Sequence, residues 1–249
     1  MIKLIKDRNI LDRFVIDFTK VLEKYTKYAV VSGFLAISSG RVRGTEDIDL
    51  IVEEMTKESF IKFFKEIYKK GFSCVQGDDV ELIWNLYLKD KSTIRFVRKG
   101  TMIPDIEFKF PKTKADKIAI TTRKLLPLTG LPIYFGSLES TIAFKEHLLK
   151  SQKDIEDANH LRKVYSEEIK EEEIKKIKRL IEKEISPNFK DKKQQVYYGR
   201  DKTHTDFIEE WAKHVKNNPT KVWKKEINKF IDAQYSKSKE FYKRLNKKQ

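Results

Sequence analysis

The sequence predicts an α/β (α+β) fold: a small mixed sheet with flanking helices, followed by a helical C-terminal region. Three observations carry that prediction. Residues 28–52 read as strand, short helix and strand. Residues 72–110 read as short strands separated by turns. From Ser137 onward, apolar residues recur mostly at helical spacing. A length of 249 residues suits one large domain or two small ones and is enough to bury a real core. The expected division is a sheet domain over 1–136, a helical region over 137–186 that completes its site, and a basic helical extension over 187–249.

The elements follow from local pattern. Ile10, Leu11, Phe14, Val15, Phe18 and Leu22 give residues 8–27 a helical face. Tyr28–Ser32 is the first strand, Phe34–Ser39 a short helix and Ile48–Val52 the second strand. Thr56 caps a helix that Gly71 ends. Strands are expected at Phe72–Val75, Leu82–Leu88, Thr93–Val97 and Ile103–Phe110, with Pro104 marking an edge or a beginning. Lys114–Arg123 reads as basic turn and strand, and 125–136 as loop plus a short strand. This pattern places the helices on one side of the sheet. Ser137 caps the next helix, another begins near Lys153, and a charged one spans Glu167–Glu184. Residues 190–202 read as an exposed basic loop whose Tyr197 and Tyr198 suit base stacking. Thr205 or Asp206 caps a further helix, and Asn217–Pro219 separates it from the last one. Trp211 and Trp223 are expected in the core, and Tyr235 and Tyr242 fall on the apolar stripe of the last helix.

Composition narrows the function classes. No apolar run approaches the roughly 20 residues of a membrane span. The charged N-terminus lacks a signal-peptide core, so a cytoplasmic address is expected. A lone cysteine and four scattered histidines argue against disulfides, a cysteine-built zinc site or a histidine-built metal site. The net charge of +15 points to a polyanionic partner, RNA first. The excess is strongest beyond Pro187, where basic residues outnumber acids roughly two to one.

The chemistry centres on residues 29–53. Asp47 and Asp49 are two apart on a strand, so they share a face while Ile48 and Leu50 point to the core. Like charges side by side repel unless a cation lies between them, and Mg²⁺ favours a few carboxylates plus phosphates. Ser32-Gly33 sits between strand and helix start, where a glycine lets backbone approach a phosphate.

Ser32-Gly33, a gap of about a dozen residues and then Asp47-Ile48-Asp49 resembles the signature of the DNA polymerase β-like nucleotidyltransferases. The string Arg43-Gly44-Thr45-Glu46-Asp47-Ile48-Asp49 is similar to their AbiEii-type and minimal branches. The resemblance covers roughly residues 28–165 and implies a sheet domain of nucleotidyltransferase type. It implies that Asp47 and Asp49 bind Mg²⁺ or Mn²⁺, that Ser32 and Gly33 cradle the β/γ-phosphates of an NTP such as ATP, and that Arg43 and Thr45 belong to the nucleotide site. It implies a third carboxylate on an adjacent strand. Asp105 is the first candidate as metal ligand and catalytic acid, with Glu107 beside it, while Asp78, Asp79 and Glu81 look like loop. An exposed strand face paired with Lys109 is the other reading of Asp105 and Glu107. Glu139, Lys145, Lys153, Asp154 and Asp157 resemble the AbiEii-type closing motif. By that resemblance Lys145 and Lys153 are nucleotide-binding, and Asp157 orients the triphosphate or helps activate the attacking group.

The expected activity is transfer of an NMP from an NTP to a hydroxyl, most simply on RNA at a tRNA 3′ end. A toxin–antitoxin or phage-defence role, with a cognate antitoxin protein, enters by resemblance alone. Two rivals are transfer to a protein or small molecule, and a non-catalytic RNA-binding module of the same fold.

Overall fold

The computed structural model describes residues 8–45, 47–184 and 202–247. Helix α1, Ile10–Leu22, opens on Asn9, whose side chain accepts from the Asp12 N–H at 3.0 Å. Strand β1 (Tyr28–Val30) and strand β2 (Asp47–Val52) run antiparallel and flank α2 (Ser32–Ser38). Helix α3, Lys57–Lys69, is capped by Thr56 as expected. Strands β3 (Phe72–Cys74), β4 (Ile94–Arg98) and β5 (Asp105–Lys109) follow. With β6 (Lys124–Leu125) and β7 (Tyr134–Phe135) they form a seven-stranded mixed sheet in the order β3-β4-β5-β2-β1-β7-β6. Pro104 therefore begins an interior strand.

Two expected strands are helices. Helix α4, Val80–Leu86, replaces the strand at Leu82–Leu88. The Asp79 carboxylate accepts from the N–H groups of Glu81 and Leu82 at 2.9 and 3.0 Å, which nucleates the turn. The alternating leucines Leu82 and Leu86 point outward, 52% and 54% exposed, while Ile83 is buried and Trp84 packs on Phe60 and Phe110. Helix α5, Lys114–Thr121, replaces the turn and strand at Lys114–Arg123, and a reciprocal Thr113–Asp116 capping box starts it.

The main core lies on the face carrying Leu50, Ile106 and Phe108, under α1 and α3. Phe18 of α1 meets Phe63, Phe72 and Phe96 with ring centroids 5.2–5.6 Å apart. Helices occupy both faces rather than one: Ala119 and Ile120 of α5 cover Ala29 and Ile51 on the opposite side. That opposite face carries Asp47 and Asp49.

Helix α6 (Leu138–Phe144, capped by Ser137) runs into one π-helical stretch, Lys145–Leu149. Helices α7 (Gln152–Val164) and α8 (Glu171–Glu184) complete the central helical section. The expected loop at 190–202, including Tyr197 and Tyr198, lies outside the described residues up to position 201. Helix α9, Lys202–Asn217, already spans Thr205 and Asp206, so neither is its cap. Helix α10, Thr220–Leu245, docks on α1, α2 and the 127–129 turn. Its Lys237 pairs with Asp12 in the interior, Ser238 Oγ donates to Gly40 O at 2.8 Å, and the Arg244 guanidinium donates to Leu128 O and Thr129 O at 2.9 and 2.8 Å. Trp211 and Trp223 are half-buried, not core. Among the described residues, no helix is long and apolar enough to cross a membrane.

Candidate active site

Strands β2 and β5 are parallel, with Asp47 opposite Asp105 and Asp49 opposite Glu107. Residues opposite one another in adjacent strands face the same way, roughly 5 Å apart. Four carboxylates thus share one sheet face, while Ile48, Leu50, Ile106 and Phe108 take the other. The acids stand on alternate positions because each strand must bury its intervening apolar residues.

Two cations serve them. Arg95 of β4, opposite Glu107, donates Nη1 to Asp105 Oδ1 at 2.8 Å and Nη2 to Glu107. Lys109 Nζ lies 3.9 Å from Asp49 Oδ1. Phe207 of α9 covers the guanidinium, with Arg95 Cζ 5.2 Å from its ring centroid. Asp105 has no exposed surface, and its Oδ2 has no hydrogen-bond partner. Burial, and secondarily the charge of Asp47, pushes the Asp105 carboxyl up to about 7 against the opposing pull of Arg95. Burial and then the charge of Asp49 push Asp47 up to about 6. The same two causes, with Asp49 as the neighbour, raise Glu107 well above the usual carboxylate range.

This donor set fits a divalent cation. Four carboxylates against two cationic side chains leave two negative charges when all are ionised, and Asp105 Oδ2 is an oxygen without a donor. Among the described residues, no three His, Cys, Asp or Glu groups already converge as a cage. Arg95 holds Asp105 Oδ1 and Glu107 on its own side.

A second, cationic cluster adjoins the first. Thr45 Oγ1 lies 3.3 Å from Asp47 Oδ1. A Cβ on Gly33 would come within 2.8 Å of Thr45 Oγ1 and 3.1 Å of Arg43 Nη2, so the absence of a side chain lets those groups close on α2. Ser32, at φ +62°, opens that helix in the left-handed region. Arg43 Nη1 then reaches Asp157 Oδ2 at 2.5 Å, Arg41 Nε lies 2.6 Å from Oδ1, and Lys145 Nζ donates to Oδ2 at 2.8 Å. Lys145 also donates to Asp154 Oδ1 at 2.9 Å. Asp157 and Lys145 are both buried.

The expected residues therefore fall into two groups. Asp47, Asp49, Asp105 and Glu107 meet as the acidic face. Gly33, Arg43 and Thr45 meet beside it, with Ser32 next to Gly33 at the start of α2, and Lys145 and Asp157 join through Arg43. Asp157, engaged by three cations, belongs to the basic cluster. Lys153 is exposed on α7 and makes no ion pair among the described residues. Glu139 accepts from Lys170 N at 3.3 Å, away from the cluster. Two residues that sequence reading passed over matter as much. Arg95 sits between Ile94 and Phe96, and that charge between two buried residues marks the acidic face. Gln234 of α10 grips Thr45 from both sides, its Oε1 accepting from the Thr45 N–H at 3.2 Å and its Nε2 donating to Thr45 O.

A cleft of about 560 Å³ lined by Glu23, Lys27, Glu53, Thr56 and Arg123 lies past the opposite end of β2 and contains none of these residues. In comparisons with known proteins, no family model matches the chain and no curated protein matches it significantly.

Proposed function

We propose that this chain is a metal-dependent nucleotidyltransferase that moves a nucleoside monophosphate from an NTP to a hydroxyl on RNA. The observation that carries the reading is the parallel register of β2 and β5, which sets Asp47 and Asp49 against Asp105 and Glu107. The resemblance of residues 32–49 to polymerase β-like enzymes supports it.

Asp47, Asp49 and Asp105 Oδ2 would hold Mg²⁺ or Mn²⁺. A bound ion supplies Lewis-acid stabilisation of charge on the phosphoryl oxygens. Thr45 orients Asp47 through its hydroxyl, and Gln234 fixes the backbone that carries Thr45. Asp157 gathers Arg41, Arg43 and Lys145, cations suited to the charge of a triphosphate and its departing pyrophosphate. The net charge of +15 supports a polyanionic acceptor, with a tRNA 3′ end the specific assignment.

The contact of Arg95 with both β5 acids favours one second reading, a non-catalytic RNA-binding module of this fold. One experiment separates the two. The protein is incubated with Mg²⁺, each α-phosphate-labelled NTP and total tRNA, alongside Asp47→Ala/Asp49→Ala. Label on tRNA that falls at least about 100-fold in the variant is expected. Label on the protein itself would move the acceptor to a side chain. No label, with salt-sensitive tRNA binding retained, would establish the module instead.

A further inference from the structure

Helix α10 presents two unlike faces. Its inner face carries Phe230, Gln234, Lys237 and Phe241, all buried in the body of the protein. Its outer face carries Ile231, Tyr235 and Tyr242, which are 41%, 55% and 42% exposed. Positions 231, 235 and 242 fall on one flank of a helix, and the two tyrosines are two turns apart, roughly 10 Å along the axis. An aromatic strip left outward is not explained by packing, because the helix already buries its other side.

The charge around that strip is unbalanced. Lys221, Lys225, Lys239 and Lys243 are exposed toward that side of the helix, and none has an ion-pair partner among the described residues. Helix α10 holds eight basic and three acidic residues. Helix α8 shows what an ordinary solvated face looks like in this protein. It has five basic and five acidic residues, and Lys175, Lys176 and Lys178 pair with Glu172, Glu173 and Glu146. The excess on α10 is therefore local rather than a general property of the chain's helices.

Position ties this face to the acids. From its inner side α10 reaches the two loops that lead into the acidic strands. Gln234 grips Thr45 ahead of Asp47, and Glu226 Oε1 accepts from the N–H groups of Met102 and Ile103, at 2.7 and 3.3 Å, ahead of Asp105. Tyr235 is the next residue after Gln234.

We propose that the outer face of α10 docks single-stranded RNA, with bases stacking on Tyr235 and Tyr242 and phosphates meeting the flanking lysines. Single strands fit because their unpaired bases offer π-faces to tyrosine, which a duplex hides. The assignment deepens the transferase reading and rests on it for the class of occupant: the strand leading to the reactive 3′ hydroxyl lies along α10.

The test is fluorescence anisotropy of full-length protein with a labelled 12-nucleotide single-stranded RNA, its duplex and the same sequence as DNA, over a salt series. The variants are Tyr235→Ala, Tyr242→Ala, their Phe counterparts, Lys239→Gln/Lys243→Gln, and Lys175→Gln/Lys176→Gln on α8 as control. Each Tyr→Ala is expected to weaken single-strand binding roughly 5- to 150-fold at unchanged melting temperature, with Phe restoring it. The α10 lysine pair is expected to lower the salt slope by about 1 to 1.5, and the α8 pair to leave it unchanged. Equal binding by wild type and both Tyr→Ala variants would overturn the proposal. So would stronger binding of duplex or DNA, or a wild-type dimer in sedimentation that Tyr235→Ala dissociates. Asp47→Asn/Asp49→Asn separates this from the catalytic reading. If it binds like wild type and no protein transfers label, the RNA track stands and the transferase falls. If transfer occurs with an unchanged KM for RNA in the tyrosine variants, the transferase stands and the track falls.

Discussion

Asp157 has no exposed surface and lies within 2.8 Å of Arg41, Arg43 and Lys145. Removing one partner from a buried ion cluster leaves charge uncompensated in a medium that solvates it poorly, at a cost of about 3–5 kcal/mol. Asp157→Ala is accordingly expected to lower the melting temperature by on the order of 10 °C. Lys153→Gln, a change at an exposed side chain on the same helix, should leave it within about 1–2 °C. Differential scanning calorimetry of the two variants checks this, and equal melting temperatures would mean that the cluster is solvated. The sequence motif put Lys153 and Asp157 in one site. Four residues apart they share one face of α7, but Lys153 stands in the exposed first turn while Asp157, about one turn further on, is covered by Arg41, Arg43 and Lys145.

Helix α10 is held by close contacts as well as by charge. A Cβ on Gly40 would sit 2.5 Å from Phe241 Cδ1, and Gly40 has φ +92°. Gly71, at φ +83°, has nothing within 4 Å. Both glycines bear the backbone strain that a side chain brings at positive φ, roughly 1–2 kcal/mol. Only Gly40→Ala adds a steric clash, worth a further 1–3 kcal/mol or so. Gly40→Ala is therefore expected to melt several degrees below Gly71→Ala and to expose the connection between α9 and α10 to protease first. Equal melting of the two variants would show that α10 is not seated on Gly40. Helices α4 and α5 illustrate what local pattern leaves open. At seven and eight residues they hold barely two turns, too few to separate a period of 3.6 from a period of 2, and the caps at Asp79 and Thr113 decide.

Across the molecule, a chain of net charge +15 concentrates four carboxylates on one sheet face. Asp47 and Asp105 bind protons more tightly when folded, at about 6 and about 7, than at their ordinary value of 3.8. Their contribution to stability is full below about pH 4 and is lost as pH rises through 6 and 7. In chelator, the protein is expected to melt several degrees higher at pH 5 than at pH 8. His160 pulls the other way, because burial lowers its pKa and acid must charge it. The Asp47→Asn/Asp105→Asn variant isolates the acidic face and should lose most of the rise. Mg²⁺ should raise melting of the wild type at pH 8 and not that of the variant. A wild type that follows the variant at every pH, with and without Mg²⁺, would remove the cation site.

Much of this face was legible from residue order. Alternation of acid and apolar residues placed Asp47 and Asp49, and separately Asp105 and Glu107, on strand faces, because a strand turns each successive side chain to the opposite side. The caps at Thr56 and Ser137 and the break at Asn217–Pro219 were equally local. Pairing was not. That β5 lies against β2 in register, that Arg95 reaches both β5 acids, and that Gln234 crosses 189 residues to hold Thr45 are outcomes of chain closure. The same holds for Tyr235 and Tyr242, whose helical spacing fits an apolar stripe but whose exposure depends on which side of α10 meets α1 and α2. Spacing along the chain fixes which side chains share a face, since that follows from backbone geometry. Which face is buried, and what stands opposite it, is decided by the packing of distant segments that excludes water from one side.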